Sequence, residues 1–130
     1  MNKKTSLNEE ISQIKIYTPG CQILYKKTID LNEKYFVFSA TMSIIIYSIK
    51  TKRLINIITS NSEKYLQIVA LNKGNSSEIA YFYGNDIEIF DFKTNNLIKN
   101  INLPNSNYFE FNSNDILLIS TTKNELFTYV

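Results

Sequence analysis

The sequence predicts an all-β fold, on the basis of a composition typical of strands and of closely spaced turn signals. The chain of 130 residues holds twenty Ile, nine Tyr and eight Phe against three Ala. Such β-branched and aromatic side chains suit a pleated, half-buried surface better than a helix. From Ile14 onward, short apolar runs alternate with turns rich in Asn, Gly and Lys. Strands separated by such short turns form antiparallel meanders.

An internal repeat extends this prediction to the architecture. Residues 43–58 align without gaps on residues 86–101, and seven of the sixteen pairs are identical. Those pairs are Ile44/Ile87, Ile46/Ile89, Lys50/Lys93, Thr51/Thr94, Leu54/Leu97, Ile55/Ile98 and Ile58/Ile101. A third, partial copy occupies residues 125–130. Repeats of about 40 to 45 residues with four strands each are typical of propeller blades.

The repeat sets the expected domain organisation. We assign blades to about residues 22–59, 64–103 and 106–130, so that residues 14–130 form a partial β-propeller of two and a half to three antiparallel four-stranded blades. Residues 1–13 are predicted to be a polar tail or a short helix, because Ser6 and Glu9 have capping-box spacing. Closed propellers need about four to eight blades. We therefore expect either a fragment of a longer gene product or a chain completed by another subunit.

Two local patterns predict details inside the second blade. Gly84 and Asn85 separate two strands by a two-residue hairpin loop, which requires positive φ. In the following strand, Ile87 and Ile89 alternate with Glu88, a pattern that indicates one buried face.

The composition excludes several kinds of catalytic and cofactor site. The chain has no His, no Trp and one Cys, so His-dependent triads, Cys/His zinc sites and an internal disulfide are excluded. Its three glycines are widely scattered, which excludes a glycine-rich phosphate loop. Cys21 lacks a His base, and we expect it to be semi-buried. We expect no catalytic residue, no metal, no cofactor and no small-molecule substrate.

The acidic residues are expected to be solvated. The only adjacent pair is Glu9 and Glu10, which belongs to the predicted tail. Asp86, Glu88 and Asp91 lie on one predicted strand, where successive side chains alternate faces. An exposed strand face explains these residues better than a pair of catalytic carboxylates does.

Charge and hydropathy favour a soluble, intracellular protein. The net charge is +2, far from the excess typical of a dedicated nucleic-acid or membrane-surface binder. No apolar run approaches the roughly 18 to 20 residues of a membrane span. The polar start leads into acidic residues rather than into an apolar signal segment. A single Cys fits a reducing compartment, and we expect no membrane partner.

A small basic patch is the one candidate contact site that the sequence indicates. Lys50, Lys52 and Arg53 share one turn, and Lys93 occupies the equivalent turn of the next repeat. Because equivalent turns emerge on the same rim of a propeller, these four residues are predicted to contact RNA phosphate or an acidic partner. The alternative is that the turns are basic only because turns are hydrophilic. Lys26 and Lys27 lie near the first inner strand.

Residues 89–94, followed by Leu97 and Ile98, resemble the WD-repeat family, in which a strand ends in an aromatic residue and an acid before a turn and an aliphatic strand. Residues 46–51 match this pattern more loosely, and the resemblance extends over residues 20–130. It implies a WD40-like propeller that acts as a non-catalytic scaffold for other protein subunits. Without His and Trp, the Asp/His/Ser/Trp network of many such blades cannot form, so we expect the blades to be held by packing alone.

A narrower resemblance concerns residues 19–27, 33–38, 46–51 and 96–99. They are similar to the opening blades of nucleolar WD-repeat proteins of the early small-subunit processome. This implies a scaffold in ribosome biogenesis and pre-rRNA processing, located in the nucleus or nucleolus. The alternative is a WD-repeat scaffold or adaptor of a different complex, such as one in trafficking or a ligase, in the cytoplasm. Association with RNA would distinguish the two.

Overall fold

The computed structural model describes residues 27–40, 42–60, 66–74 and 76–130, and these ranges form eleven strands and no helix. The predicted tail at residues 1–13 and Cys21 lie outside the described residues. No helix that could cross a membrane occurs in the described part of the chain. The strands are β1 (Ile29–Leu31), β2 (Tyr35–Ala40), β3 (Ser43–Ser48), β4 (Leu54–Thr59), β5 (Leu66–Leu71), β6 (Glu78–Tyr83), β7 (Asp86–Asp91), β8 (Asn96–Asn102), β9 (Ser106–Phe111), β10 (Leu117–Thr121) and β11 (Leu126–Tyr129).

The strands form three antiparallel meanders, which confirms the predicted all-β fold of propeller blades. Blade 1 contains β1 to β4, blade 2 contains β5 to β8, and blade 3 contains β9 to β11, each in chain order. The predicted starts of the first two blades, at residues 22 and 64, lie outside the described residues.

The internal repeat fixes turn geometry as well as strand position. Lys52 and Asn95 occupy equivalent positions, and both have positive φ, at 55° and 56°. The registers of β3 with β4 and of β7 with β8 also shift at equivalent positions. Gly84 has a φ of 66°, as predicted for the hairpin between β6 and β7. The same turn therefore joins the third and fourth strands of both complete blades.

Most of the core forms two layers between blades, and a smaller buried cluster of Phe38, Ala40 and Ile45 lies on the other face of blade 1. We call the face of a blade that points to the next blade its front face, and the opposite one its back face. The first layer joins the front of blade 1 to the back of blade 2, and its buried residues are Tyr35, Val37, Ile44, Ile46, Leu66, Val69, Leu71, Ile79, Tyr81 and Phe92. The second joins blades 2 and 3 through Ile68, Ala70, Ala80, Phe82, Ile87, Ile89, Phe109, Phe111, Leu117 and Ile119. Burial of these side chains is the main force holding the blades together.

An asparagine directly follows the first strand of each blade (β1, β5 and β9), at a spacing of 40 residues. Asn32, Asn72 and Asn112 each accept backbone N–H groups of the following turn, the arrangement of an Asx turn. Asn32 also donates from Nδ2 to the carbonyl oxygen of Asn72, at 2.7 Å, which links blades 1 and 2. The expectation that packing alone holds the blades is therefore wrong, because polar groups bridge them as well.

Candidate interaction surfaces

The predicted basic residues lie on one rim, in two turns. Lys50, Lys52 and Arg53 are exposed in the turn between β3 and β4, and Lys93 is exposed in the equivalent turn between β7 and β8. The Ile49 N–H donates to the Lys34 carbonyl oxygen at 2.9 Å, so the turn between β1 and β2 lies on this rim as well. The contact role of the four residues stays a prediction.

The two basic turns are connected across the blade boundary. Asn56 follows the first turn and donates from Nδ2 to the Phe92 carbonyl oxygen at 2.7 Å and to Asn95 Oδ1 at 2.8 Å, both in the second turn. The Lys93 ammonium lies 5.7 Å from the centroid of the Tyr35 ring in blade 1, within cation–π range. These contacts hold the second turn against blade 1.

Asp91 shapes its turn. Its Oδ1 accepts the Ser77 hydroxyl at 2.6 Å and the Lys93 N–H at 2.9 Å. The bond from Ser77, more than any other contact, holds the pKa of this carboxyl below its usual value of 3.8. In blade 1 the equivalent Ser48 accepts the Thr51 N–H at 3.2 Å.

The described residues contain no group of three or more His, Cys, Asp or Glu side chains placed to hold a metal ion.

A cluster of charged side chains joins all three blades, and it was not predicted from the sequence. We call Lys27, Asp30, Lys73 and Glu110 the ionic cluster. The Asp30 carboxylate pairs with Lys73, lies 3.6 Å from Lys27 Nζ, and accepts the Leu71 N–H at 2.8 Å. Lys27 Nζ also donates to the Phe109 carbonyl oxygen at 3.1 Å and lies 4.0 Å from Glu110. Lys27 therefore belongs to the interior between blades rather than to a solvated patch.

Burial has the largest effect on the pKa of Lys27 within the ionic cluster. The side chains of Lys27 and Asp30 are each 10% exposed. Desolvation lowers the pKa of the Lys27 ammonium, and the nearby Asp30 and Glu110 carboxylates oppose that shift. Asp30 and Glu110 share one position of the 40-residue spacing, where blade 2 has Ala70. An acidic residue between two apolar residues in the first strand of a blade is therefore the sequence feature that could have indicated the ionic cluster.

A cleft opens between the outer strand of blade 1 and the back face of blade 2. Its volume is about 360 Å³. Residues 56–60 of blade 1 line one side, and Tyr81, Glu88, Phe90 and Leu97 line the other. The Tyr81 hydroxyl donates to Glu88 Oε2 at 2.8 Å. Burial, followed by this bond, raises the pKa of Tyr81 well above its ordinary value. The expectation of a solvated Glu88 is therefore wrong, because neighbouring blades cover both faces of β7 and leave this residue half-buried.

The back face of blade 1 is apolar, and no described strand packs on it. Register places nine apolar side chains there, with the polar Ser43 and Thr59 at one end of the sheet; the nine are Ile29, Leu31, Phe36, Phe38, Ala40, Ile45, Tyr47, Leu54 and Ile57. The centre is buried, with Phe38 at 3% exposure. The margins are exposed, with Ile29 at 51% and Leu31 at 57%. Aliphatic residues exposed together on one sheet face are typical of an interaction surface.

Solved structures share this three-blade arrangement. A chain of the mitotic checkpoint complex superposes with a TM-score of 0.67 at 10% sequence identity, over 81% of this chain and 33% of that one. Hsv2 of Kluyvelomyces marxianus superposes with a TM-score of 0.62 at 14% identity, over 78% of this chain and 34% of that one. The fold is that of a WD40-like β-propeller.

The extent of these matches agrees with a partial propeller. The chain spans about a third of the length of the two solved structures. No protein-family model matches the sequence, and neither does any curated protein. At 10% and 14% identity the likeness concerns the fold alone.

Proposed function

We propose that this chain is a non-catalytic interaction scaffold, in which the back face of blade 1 binds an aliphatic sheet of a partner protein. The observation that carries this proposal is the equivalence of the three back faces. Leu71, Ile79 and Tyr81 on the back of blade 2 are covered by blade 1, and Phe111 and Leu117 on the back of blade 3 are covered by blade 2. The same face of blade 1 is equally apolar and has exposed margins.

The covered faces also indicate the chemistry of the partner. Blade 1 presents Ile44 and Ile46 to blade 2, and blade 2 presents Ile87 and Ile89 to blade 3 at the equivalent positions. A partner sheet with alternating β-branched residues would pack on the back face of blade 1 in the same way. Burial of aliphatic area at about 25 cal/mol per Å² would supply most of the affinity.

The finer proposal is a role in ribosome biogenesis, within the assembly that processes small-subunit pre-rRNA in the nucleolus. Its support is the sequence resemblance of residues 19–27, 33–38, 46–51 and 96–99. On this proposal, the exposed Lys50, Lys52, Arg53 and Lys93 would contact phosphate groups of the RNA backbone. The alternative is an adaptor in another protein complex, for which the apolar back face of blade 1 is sufficient.

Affinity purification of the tagged full-length gene product from its own cells tests this function. We expect small-subunit assembly factors and pre-ribosomal RNA in one eluate, because the scaffold would hold both in a single particle. The same preparation after nuclease treatment is the control. A protein complex that lacks RNA and is unchanged by nuclease would support the adaptor instead. An eluate that contains only the bait would contradict both roles.

A further inference from the structure

The cleft between blades 1 and 2 contains an acid where the repeat places an aliphatic residue. Glu88 is equivalent to Ile45, which lies on the back face of blade 1. Its side chain is half-buried and lies beside Phe90 and Leu97 in the wall of the cleft. A carboxylate in such surroundings loses hydration and gains from a cationic partner. In the described part of the chain, no lysine or arginine forms a salt bridge with Glu88.

The Tyr81 hydroxyl directs the Glu88 carboxylate. It donates to Oε2 at 2.8 Å, from a ring buried in the layer between the blades. The donor is neutral, so it orients the carboxylate without neutralising its charge. The raised pKa of Tyr81 agrees with a phenol that stays protonated beside an anion. The wall of the cleft therefore presents a fixed negative charge.

The shape of the cleft suits an extended chain segment. Five consecutive residues of blade 1, 56–60, line one side. At about 3.3 Å per residue, these run for on the order of 13 Å along β4 and its end. The described strands pair with β4 on one side only, so the cleft follows an outer strand. Ile58, Phe90 and Leu97 supply apolar contacts along it.

We propose that this cleft binds an extended segment of a partner protein through one arginine or lysine, whose cationic group pairs with Glu88 while neighbouring aliphatic side chains contact the cleft walls. A cationic group is expected because it complements the negative charge of Glu88. A peptide is expected instead of a small amine because the cleft runs along five residues of blade 1. The inference deepens the proposed scaffold role. The cleft shares Ile57 and Thr59 of β4 with the back face of blade 1, whereas Glu88 belongs only to the cleft and Leu31 only to the back face. Substitutions at Glu88 and at Leu31 therefore test the two sites independently.

Two matched peptides test this site on the 130-residue chain. The first is a seven-residue peptide, acetylated and amidated, with a central arginine between alternating valine and threonine. The second has citrulline, which is neutral and similar in shape, in place of arginine. Titration of the ¹⁵N-labelled protein at low salt is expected to give at least tenfold tighter binding of the arginine peptide. The largest changes in amide chemical shift should occur in β4 and β7.

Substitutions test whether Glu88 causes the preference for the arginine peptide over the citrulline peptide. Glu88→Gln is expected to reduce the preference to less than twofold, whereas Glu33→Gln, the same change in an exposed turn, retains it. Tyr81→Phe removes the hydroxyl that directs the carboxylate and should lower the preference, but by less than Glu88→Gln does. Equal binding of the two peptides by the unsubstituted chain would overturn the proposal, and so would a preference that survives Glu88→Gln. Agmatine that binds as tightly as the arginine peptide would overturn the peptide assignment.

Discussion

Replacement of Asp30 by alanine is expected to destabilise the chain by about 3 kcal/mol, since removing one partner of a buried ion pair leaves an uncompensated charge. The Asp30 carboxylate faces Lys27 and Lys73 and accepts the Leu71 N–H. Without it, the Lys27 ammonium keeps the Phe109 carbonyl oxygen, the Tyr108 ring at 5.1 Å and the more distant Glu110, and it loses its nearest carboxylate. Urea unfolding followed by circular dichroism measures the loss as a lower midpoint.

Two controls separate charge burial from general damage. Glu110→Gln removes a carboxylate whose side chain is 43% exposed, and an exposed pair is worth about 1 kcal/mol or less. A second substitution, Lys27→Met, in the Asp30→Ala background should recover much of the loss, because it removes the stranded charge while keeping an apolar stem. A double variant no more stable than Asp30→Ala would contradict this account of the ionic cluster.

Phe109→Ala is expected to cost about 3 to 5 kcal/mol, the range for deleting a buried aromatic side chain. Phe109 is fully buried in the layer between blades 2 and 3, and its carbonyl oxygen accepts a hydrogen bond from the Lys27 ammonium. The cavity would weaken the attachment of the whole of blade 3. Hydrogen exchange should therefore rise throughout β9, β10 and β11.

Phe127→Ala provides the matched control for this prediction. Phe127 lies in the same blade and has the same side chain, but it is 41% exposed. Because its ring is only partly removed from water, we expect its loss to cost about 1 kcal/mol or less. Comparable losses for the two variants would contradict the assignment of Phe109 to the layer that holds blade 3.

The fold was predictable because the repeat constrains both the buried face of the strands and the turn between them. The pairs Ile44/Ile87 and Ile46/Ile89 fix which strand face is buried, and the pair Lys50/Lys93 fixes the turn that follows. The turn geometry follows the repeat even where side chains differ, since Lys52 and Asn95 share positive φ. Local pattern and turn chemistry agree, and this agreement made the blades recognisable.

The interaction surfaces were less predictable because they depend on distances between blades. Lys27 precedes β1, Lys73 follows β5 and Glu110 lies in β9, so the three residues belong to different blades, and nothing in their sequence spacing brings them to one place. Glu88 was expected in solvent because alternation within one strand cannot say what covers its second face. The Asn32 to Asn72 hydrogen bond also crosses a blade boundary. Sequence periodicity describes single blades, whereas these contacts arise from their stacking.

Photo-crosslinking from the back face of blade 1 shows whether that face binds a partner sheet. A benzoylphenylalanine at Leu31 lies on that face, and one at Ile98, which is 46% exposed in the outer strand of blade 2, serves as the control. We predict that position 31 of the full-length product in its own cells crosslinks to one strand of a partner protein with alternating aliphatic residues, and that position 98 does not. Crosslinks scattered over unrelated segments, equal products from both positions, or no product from position 31 would contradict the account.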